Sequence, residues 1–407
     1  MSLRLSESLP AYLQAEAPQR IFAALPDCRA VGGCVRDELA GLPVHDMDMA
    51  APLPPEVIAE KLKSAGLRVF ETGLKHGTVT ALLGRTAIEV TSLRRDVTTD
   101  GRHAEVEWTT DWLEDAARRD FTINAMSMGP DGVLHDPFGG VADLAARRVR
   151  FVGEADQRLR EDYLRALRFF RFQARYGGDL PDAEAVRAIR AAVPGLARLS
   201  AERVWSEIKR LMTAPDPRAA LGLMAETGVL GAVLPEAGDA SRLDFALSRG
   251  VVDALLRVAI LLPVGTDITA LASRLRLSGE EVARLRQLHA IADAPTPCEQ
   301  DPATLRRFAA AARLRGEAAL PAEIILVAAA NRDAGDHTEL LTRIPAGPGP
   351  AFLLQGRDAL ALGLPHGPRI GALLAATRDW WLAEGAAADH ATCLEQLRQL
   401  AQQKSSC

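Results

Sequence analysis

The chain has few cysteines and lacks a long apolar run. Its five cysteines are scattered among 407 residues with no CxxC spacing, at positions 28, 34, 298, 393 and 407. An odd and dispersed set disfavours a disulfide framework or a zinc site and fits a reducing cytoplasm. The longest apolar run, around Leu255 to Val264, is too short to span a bilayer, and residues 1–20 lack the pattern of a signal peptide. We therefore expect a soluble cytoplasmic protein that does not associate with membranes.

The chain also lacks an overall excess of positive charge. Its formal net charge is -5 and its isoelectric point is near 6.0, which disfavours a protein that coats nucleic acid without specificity. The charge is nevertheless uneven, because residues 147–175 hold nine arginines and only four acidic residues. We expect this segment to face phosphate groups.

The most informative pattern is a glycine pair followed by a carboxylate pair. Gly32 and Gly33 follow a short strand and precede a helix, so their backbone can approach an anion closely, with Arg36 nearby. After a turn at residues 41–43 the chain becomes extended again, and Asp46 and Asp48 then project to one side of a strand. Two such carboxylates can share divalent cations such as Mg²⁺, although an isolated Asp-x-Asp is more often a solvated turn.

A third carboxylate, Glu89, lies in a segment with strong β character, residues 87–91. If that strand lies beside the strand of Asp46 and Asp48, Glu89 completes a three-carboxylate cluster. The alternative is a single glutamate that faces solvent from a half-exposed strand.

The composition changes in kind near residue 145. The first part mixes strand and helix patterns, which predicts a small mixed sheet, and residues 94–105 have no apolar period and predict a mobile loop. The remainder has helical spacing throughout, with breaks at the proline-rich segments 294–297 and 345–350. We predict an α/β head at 1–145, a helical neck at 146–212, a helical body at 213–343 and a helical tail at 344–407.

Further segments, taken with the glycine and carboxylate pairs, carry a resemblance to a known family. They are Arg118–Met126 (RRDFTINAM), Asp136–Gly140 (DPFGG), Glu161–Phe172 (EDYLRALRFFRF), Ser200–Arg203 (SAER) and Gly356–Leu360 (GRDAL). In this order and spacing the chain resembles the class II CCA-adding tRNA nucleotidyltransferases, which belong with the bacterial poly(A) polymerases to the polymerase-β-like superfamily. The resemblance is continuous from about residue 31 to residue 176 and continues weakly through residues 200–203. Little of it is recognisable between about 214 and 351, and it reappears at 356–360 and at 367–368.

The resemblance implies a function and a set of site residues. The implied reaction is template-independent addition of CCA to the 3′ end of tRNA from CTP and ATP, with two Mg²⁺ ions and release of pyrophosphate. Asp46 and Asp48 would hold the metals, with Glu89 as a further catalytic carboxylate. Gly32, Gly33, Arg36, Arg119, Asp162, Arg165, Arg168 and Arg171 would bind the nucleotide. The tail would contact the acceptor arm of the tRNA, and the polymerase-β-like head would carry the catalytic site.

Asp162 and Arg165 suggest how bases are selected. Being three residues apart, they are expected on one helical face. Cytosine and adenine each present an amino donor next to a ring-nitrogen acceptor, which a carboxylate and a guanidinium complement. Uracil and guanine present the opposite order and would leave buried polar groups unpaired, at about 1 to 3 kcal/mol each. The alternative is an ordinary surface ion pair between these two residues.

Other functions stay open at this point. An enzyme that adds only CC or only A is a close alternative, followed by a bacterial poly(A) polymerase. A non-catalytic RNA-binding protein on the same fold is an alternative of another class. The sequence gives no indication of oligomeric state.

Overall fold

The computed structural model describes residues 2–4, 9–71, 73–99, 104–299, 301–316, 319–332, 336–344 and 347–403. Two compact units make up the chain, Met1–Pro235 and Glu236–Cys407. The predicted division into an α/β head and a helical remainder is confirmed. The four-part division into head, neck, body and tail stays a prediction.

The described residues of the first unit form ten strands. They are β1 Ser2–Arg4, β2 Arg29–Val31, β3 Asp48–Ala51, β4 Arg68–Phe70, β5 Thr78–Leu83, β6 Thr86–Ser92, β7 Arg94–Thr99, β8 Ala104–Trp108, β9 Ser127–Met128 and β10 Val133–His135. Eight of them form one sheet in the order β1-β10-β9-β2-β3-β6-β5-β4, and β7 and β8 form a hairpin. The pair β3 and β6 is parallel and the other pairs are antiparallel, so the sheet is mixed as predicted.

The first unit also contains twelve described α-helices. They are α1 Ala11–Gln14, α2 Glu16–Ala24, α3 Gly33–Leu39, α4 Pro55–Ser64, α5 Trp112–Ala117, α6 Gly140–Ala145, α7 Ala155–Glu161, α8 Leu164–Tyr176, α9 Ala183–Ala192, α10 Ala201–Met212, α11 Arg218–Glu226 and α12 Val229–Val233. Short 3-10 helices occupy Leu74–His76, Thr122–Asn124 and Val193–Arg198.

The described part of the second unit is helical. Its helices are α13 Asp244–Ser248, α14 Ala254–Leu261, α15 Ile268–Leu275, α16 Gly279–Leu288, α17 Pro302–Arg315, α18 Pro321–Asn331, α19 Thr338–Arg343, α20 Gly356–Ala361, α21 Pro368–Ala383 and α22 His390–Gln403, with a 3-10 helix at Ala240–Leu243. None of the helices in the described part of the chain has the length and apolarity needed to cross a membrane.

The two faces of the sheet have different chemistry because side chains alternate along each strand. Met49 and Ala51 of β3, like Ile88 and Val90 of β6, belong to the main core, which also contains residues of α2 and α4. The residues that alternate with them are Asp48 and Ala50 on β3 and Glu89 and Thr91 on β6, and these point to the opposite face. That second face carries the candidate site.

Two local predictions were wrong. The strand β3 begins at Asp48, so Asp46 lies in the extended segment just before the strand rather than on it. Residues 94–99 and 104–108 form the β7–β8 hairpin instead of an irregular loop. The sequence there contains β-branched residues on both arms, and Arg95 pairs with Glu107 across the hairpin. Residues 100–103, the rest of the predicted loop, lie outside the described residues.

Candidate functional site

The glycine pair lies between strand β2 and helix α3. Gly32 has a φ of +68°, which a residue with a side chain adopts only with strain. A Cβ atom at this position would lie 2.9 Å from Nη1 of Arg119. Glycine is therefore required here both for the backbone turn and for the close approach of an arginine that the sequence assigned to nucleotide binding.

Asp48 and Glu89 lie on neighbouring strands, which was the condition that the sequence set for a catalytic role of Glu89. In the parallel register of β3 and β6, Asp48 is directly opposite Glu89. Paired residues of adjacent strands project from the same face, so the two side chains share the face that is not packed against α2 and α4. Asp46 is exposed, two residues ahead of Asp48.

The environment of Asp48 suits a bound cation. Asp48 is exposed at the start of β3, but the surrounding protein partly desolvates its carboxylate and raises its pKa. The negative charges of Glu89 and Asp46 raise the pKa further, and Arg119 offsets part of this effect. Mutual repulsion among carboxylates is relieved by a cation, and oxygen donors of this kind suit Mg²⁺. Within the described residues, however, no group of three or more Asp, Glu, His or Cys side chains is arranged to hold a metal ion, so the predicted three-carboxylate cluster is not closed.

Arg36 is held rigidly in α3. It is buried, and its Nε and Nη2 donate to Oδ1 of Asp37 at 3.0 and 2.9 Å. Its Nη1 donates to Oδ1 of Asn124 at 2.5 Å, and the Tyr176 hydroxyl donates to the same Asp37 oxygen at 2.6 Å. The guanidinium is thus fixed beside the glycine pair before any ligand arrives.

A single carboxylate fixes two further arginines. Asp115 accepts from Nε and Nη2 of Arg118 at 2.9 and 2.7 Å and from Nη2 of Arg119 at 3.1 Å. Burial alone would raise the pKa of Asp115, but the two arginines outweigh it, and the pKa is lowered. Arg119 also donates from Nη1 to the carbonyl oxygen of Asn124, which directs it toward the glycine pair.

Helix α8 presents two more arginines. Nε of Arg168 donates to Oδ2 of Asp120 at 2.7 Å, and Nε of Arg171 donates to Oε2 of Glu207 at 2.7 Å. Both Asp120 and Glu207 are buried. The ring of Phe172 lies 5.7 Å from the Arg168 guanidinium carbon and 4.5 Å from that of Arg171, so an aromatic face supports both cations.

Asp162 and Arg165 do not share a helical face, contrary to the prediction. Helix α7 ends at Glu161 and α8 begins at Leu164, and Asp162 lies between them in an extended conformation. Its Oδ1 accepts from the Leu164 amide at 3.0 Å, a local side-chain to backbone bond that competes with helical continuation. They do not form the alternative surface ion pair either: Asp162 accepts from Arg203 at 2.5 Å, and Arg165 pairs with Glu161.

These residues line one cleft of about 570 Å³. Ten of the eleven residues predicted from the sequence line it, and Asp46 does not. Eight arginines and five carboxylates contribute to its wall. Three more carboxylates, Asp37, Glu161 and Glu207, pair with wall arginines from outside the wall. The cleft therefore presents many guanidinium groups, held by carboxylates, that can bind a polyphosphate.

Sequence reasoning missed several side chains that hold the others in place. These are Asp115, Asn124, Arg203 and Glu207. Asp120 belongs to a motif that the sequence showed, but its bond to Arg168 was not predicted. For Arg203 the available signal was the SAER segment; the others are separated from their arginines by distances in sequence that no local pattern reveals.

Paired carboxylates on a sheet face, beside a cleft lined with arginines, define a nucleotidyltransferase site. Two family models match the chain. Residues 28–150 match the Poly A polymerase head domain, and residues 181–240 match the Probable RNA and SrmB- binding site of polymerase A.

Relatives and solved structures narrow this class. The mitochondrial CCA tRNA nucleotidyltransferase 1 of Mus musculus is 38% identical, over 88% of this chain and 83% of the relative. The Homo sapiens enzyme of the same name has the same identity and coverage. The crystal structure of the Bacillus stearothermophilus CCA-adding enzyme in complex with CTP is 27% identical with a TM-score of 0.77, covering 98% of this chain and all of that one. The chain belongs to the CCA tRNA nucleotidyltransferase family.

Proposed function

We propose that this protein adds C, C and A in turn to the 3′ end of tRNA from CTP and ATP, without a nucleic acid template. The RNA 3′ oxygen attacks the α-phosphorus of the nucleotide, and the bond from that phosphorus to the pyrophosphate group breaks. The observation that carries the proposal is the single cleft in which Asp48 and Glu89 meet Asp162, Arg165 and the fixed arginines. Relatives named CCA tRNA nucleotidyltransferase 1, which the chain matches over 83% of their length, support it.

Asp46 and Asp48 are the proposed metal ligands, with Glu89 as the adjacent catalytic carboxylate. Two Mg²⁺ ions, when bound, would favour ionisation of the 3′ hydroxyl and neutralise the triphosphate. The raised pKa of Asp48 and the oxygen character of the three side chains support this choice.

The triphosphate would lie against the glycine pair and the arginines. Gly32 and Gly33 leave room beside the backbone, with Arg119 next to Gly32 and Arg36 next to Gly33. Arg168 and Arg171 extend the positive wall along α8. Because carboxylates hold all four arginines in place, these residues bind and orient the phosphates without rearranging.

Asp162 and Arg165 would select the base. The described hydrogen bonds of the Asp162 carboxylate use one acceptor site on each oxygen, and an ionised carboxylate has about four. Those of Arg165 use three of its five N–H groups, which donate to Glu161 and to the carbonyl oxygens of Arg158 and Arg118. The remaining acceptor and donor capacity matches the amino group and ring nitrogen of cytosine and adenine.

The test uses tRNA that ends at the discriminator base, with Mg²⁺ and each nucleotide singly or together. We expect two additions with CTP alone, three with CTP and ATP, and no addition by Asp48→Asn. Growth that stops after CC even with ATP present would make it a CC-adding enzyme, and addition of A only to tRNA ending in CC would make it an A-adding enzyme. A long ladder with ATP alone would favour a poly(A) polymerase, which the match to the Poly A polymerase head domain keeps as the second candidate. RNA binding without turnover would favour the non-catalytic alternative.

Asp162→Asn tests the base-selecting role separately. We expect it to reduce discrimination against UTP and GTP more than it weakens triphosphate binding. Asp156→Asn is the matched control, because Asp156 is an acid of α7 that pairs with Arg187 and is not among the residues that line the cleft. Unchanged base selectivity in Asp162→Asn would contradict the proposed role.

Two further predictions accompany this function. Contact of the tail, residues 344–407, with the acceptor arm of tRNA is testable by crosslinking. A cytoplasmic location is predicted from the cysteines, whereas the mouse and human relatives are named as mitochondrial, so cell fractionation is the relevant measurement.

A further inference from the structure

A second cavity, of about 290 Å³, adjoins the nucleotide cleft. The two share Val31, Asp115 and Arg119 in their walls. The residues that line only the second cavity include Arg29, Trp112, Met126, Ser127, His135 and Pro137. The roles proposed above for the site residues leave this cavity without a ligand.

The register of the sheet places the second cavity on the same face as the catalytic carboxylates. Arg29 of β2 is opposite Ala50 of β3, two residues from Asp48, so Arg29 and Asp48 project from one face. Ser127 and His135 are opposite each other on β9 and β10, in line with Val31 of β2. Strands β9, β10 and β2 lie on one side of β3, and β6 and β5, which carry cleft residues, lie on the other.

Asp48 therefore lies between two binding spaces. The cleft side holds Asp162, Arg165 and the triphosphate arginines, which account for one substrate, the incoming nucleotide. The other substrate is the RNA end, whose 3′ oxygen has to reach the same carboxylates. Because this 3′ oxygen belongs to the last nucleotide of the RNA, the base of that nucleotide lies within one nucleotide's length of Asp48. The base lies on the side of Asp48 that the incoming nucleotide does not occupy.

The second cavity contains a stacking platform suited to a base. The guanidinium carbon of Arg29 lies 4.2 Å from the centroid of the Trp112 ring. Trp112 itself packs against Val31, Ala50 and Leu93, which fixes the ring on the sheet. Proteins recognise unpaired RNA bases by stacking them on aromatic rings or on the plane of an arginine.

Each acidic residue of the cavity is already hydrogen-bonded to a backbone amide or to an arginine, and Arg29 and Arg119 in the same wall offset part of the negative charge. Asp111 accepts from the Leu113 amide, and Asp136 accepts from the amides of Gly140 and Val141. Asp115 is neutralised by Arg118 and Arg119, as described above.

We infer that this cavity binds the base of the 3′-terminal nucleotide of the RNA being extended, stacked on the Arg29–Trp112 pair. The inference rests on the proposed function, since it identifies where the RNA end lies during that reaction. The volume, near the lower end of the roughly 300 to 1,000 Å³ typical of ligand pockets, fits one base better than a longer RNA segment.

The experiment compares two RNAs, tRNA ending in CC and the same tRNA whose last nucleotide is abasic. For wild type, removing the base should lower kcat/KM for addition of A by roughly 5- to 150-fold, the range for loss of one stacked base. Arg29→Ala should act less efficiently on the normal tRNA and should no longer distinguish the two RNAs. Equilibrium binding of ATP in the absence of RNA should be unchanged in this variant.

Arg68→Ala is the matched control. Arg68 is also an arginine over an aromatic ring, that of Phe70 at 5.7 Å, on strand β4 at the far edge of the same sheet, and it is not among the residues that line either cavity. It should retain the full penalty for the abasic RNA. Thermal unfolding checks each variant, and Arg29→Lys, which keeps the charge but loses the planar group, replaces Arg29→Ala if the latter does not fold.

An equal abasic penalty in wild type and in Arg29→Ala would overturn the inference, as would the absence of a penalty in wild type. If wild type does not add A to tRNA ending in CC, the proposed function fails on its own. The same pair of RNAs then serves in a binding assay without nucleotide. A difference in Kd that depends on the terminal base, and that Arg29→Ala removes, would still support the cavity as a base site, and no such difference would reject it.

Discussion

Replacing Asp120 by Asn tests whether the buried carboxylates hold the arginines of the cleft. The Asp120 carboxylate accepts from Nε of Arg168, from Nδ2 of Asn124 at 2.9 Å and from the Phe121 amide at 2.9 Å. Asn keeps the shape but removes the charge, and its amide group places a donor where one of these donors now points.

The magnitude follows from the burial of the pair. Breaking a buried ion pair by removing one partner destabilises a protein by about 3 to 5 kcal/mol. The Arg168 side chain is 31% exposed and lies 4.0 Å from Glu207, so part of its charge stays compensated. We therefore expect Asp120→Asn to lower the free energy of unfolding by about 3 kcal/mol. For a unit of this size that corresponds to roughly 6 to 12 °C in the midpoint.

The assay is thermal unfolding at several pH values. Burial alone raises the pKa of Asp120, but Arg168 and the hydrogen bonds from Asn124 and Phe121 outweigh it, so the folded pKa is lowered. A lowered folded pKa means that the ionised carboxylate stabilises the protein above its unfolded pKa of about 3.9. This contribution disappears as the pH falls through the folded value. The difference between wild type and variant should accordingly shrink below about pH 4.

Asp156→Asn provides the comparison, since Asp156 pairs with Arg187 at a site where the two side chains are 38% and 60% exposed. It should lower the free energy of unfolding by less than about 1 kcal/mol. If Asp120→Asn were no more destabilising than this control at pH 7, the reasoning that buried carboxylates hold the cleft together would be refuted.

Three other outcomes follow from the site. Gly32→Ala and Gly41→Ala both place a side chain at positive φ, so each should lower the free energy of unfolding by about 1 to 2 kcal/mol. Only Gly32→Ala displaces Arg119, so only this variant should raise the KM for CTP and ATP. Equal KM values in the two variants would contradict the close approach of Arg119 to Gly32. Arg203→Ala removes one hydrogen bond to Asp162 and should lower kcat/KM for both nucleotides roughly tenfold. It should also weaken base selection in single-nucleotide assays. Unchanged kinetics would show that Arg203 does not position Asp162. Chelation by EDTA should abolish turnover until Mg²⁺ is restored, whereas activity persisting in EDTA would argue against the metal ligands proposed above.

The parts of the site that local sequence encodes could be predicted. The turn at Gly32 and the strand β2 depend on glycine at positive φ and on a short apolar run, which a short segment reveals. The pairing of Glu89 with Asp48 joins strands far apart in sequence, and the sequence left it open.

The break between α7 and α8 was not predicted. The apolar spacing of residues 161–172 is helical throughout, so the segment looks continuous. Asp162 nevertheless ends one helix, and its side chain accepts from the amide of Leu164, the first residue of the next helix. The preference of Asp for caps was the available signal, and the stronger helical period concealed it.

The partners of the arginines could not be predicted either. Arg168 and Asp120 are 48 residues apart, and Arg171 and Glu207 are 36 apart. Which carboxylate meets which guanidinium depends on how α8 packs against α10 and the segment at 120–124. Only the folded chain fixes those contacts.

The paired arginines of the cleft also affect the entropy of ligand binding. A long side chain that becomes ordered when a ligand binds loses about 0.5 to 1.5 kcal/mol of rotamer freedom. Arg36, Arg119, Arg168 and Arg171 lose that freedom when the chain folds, because each is already hydrogen-bonded to a carboxylate. Each nucleotide-binding step therefore avoids an entropic cost of several kcal/mol for ordering these side chains. Because each addition requires a new nucleotide to bind, the enzyme gains this saving in every cycle.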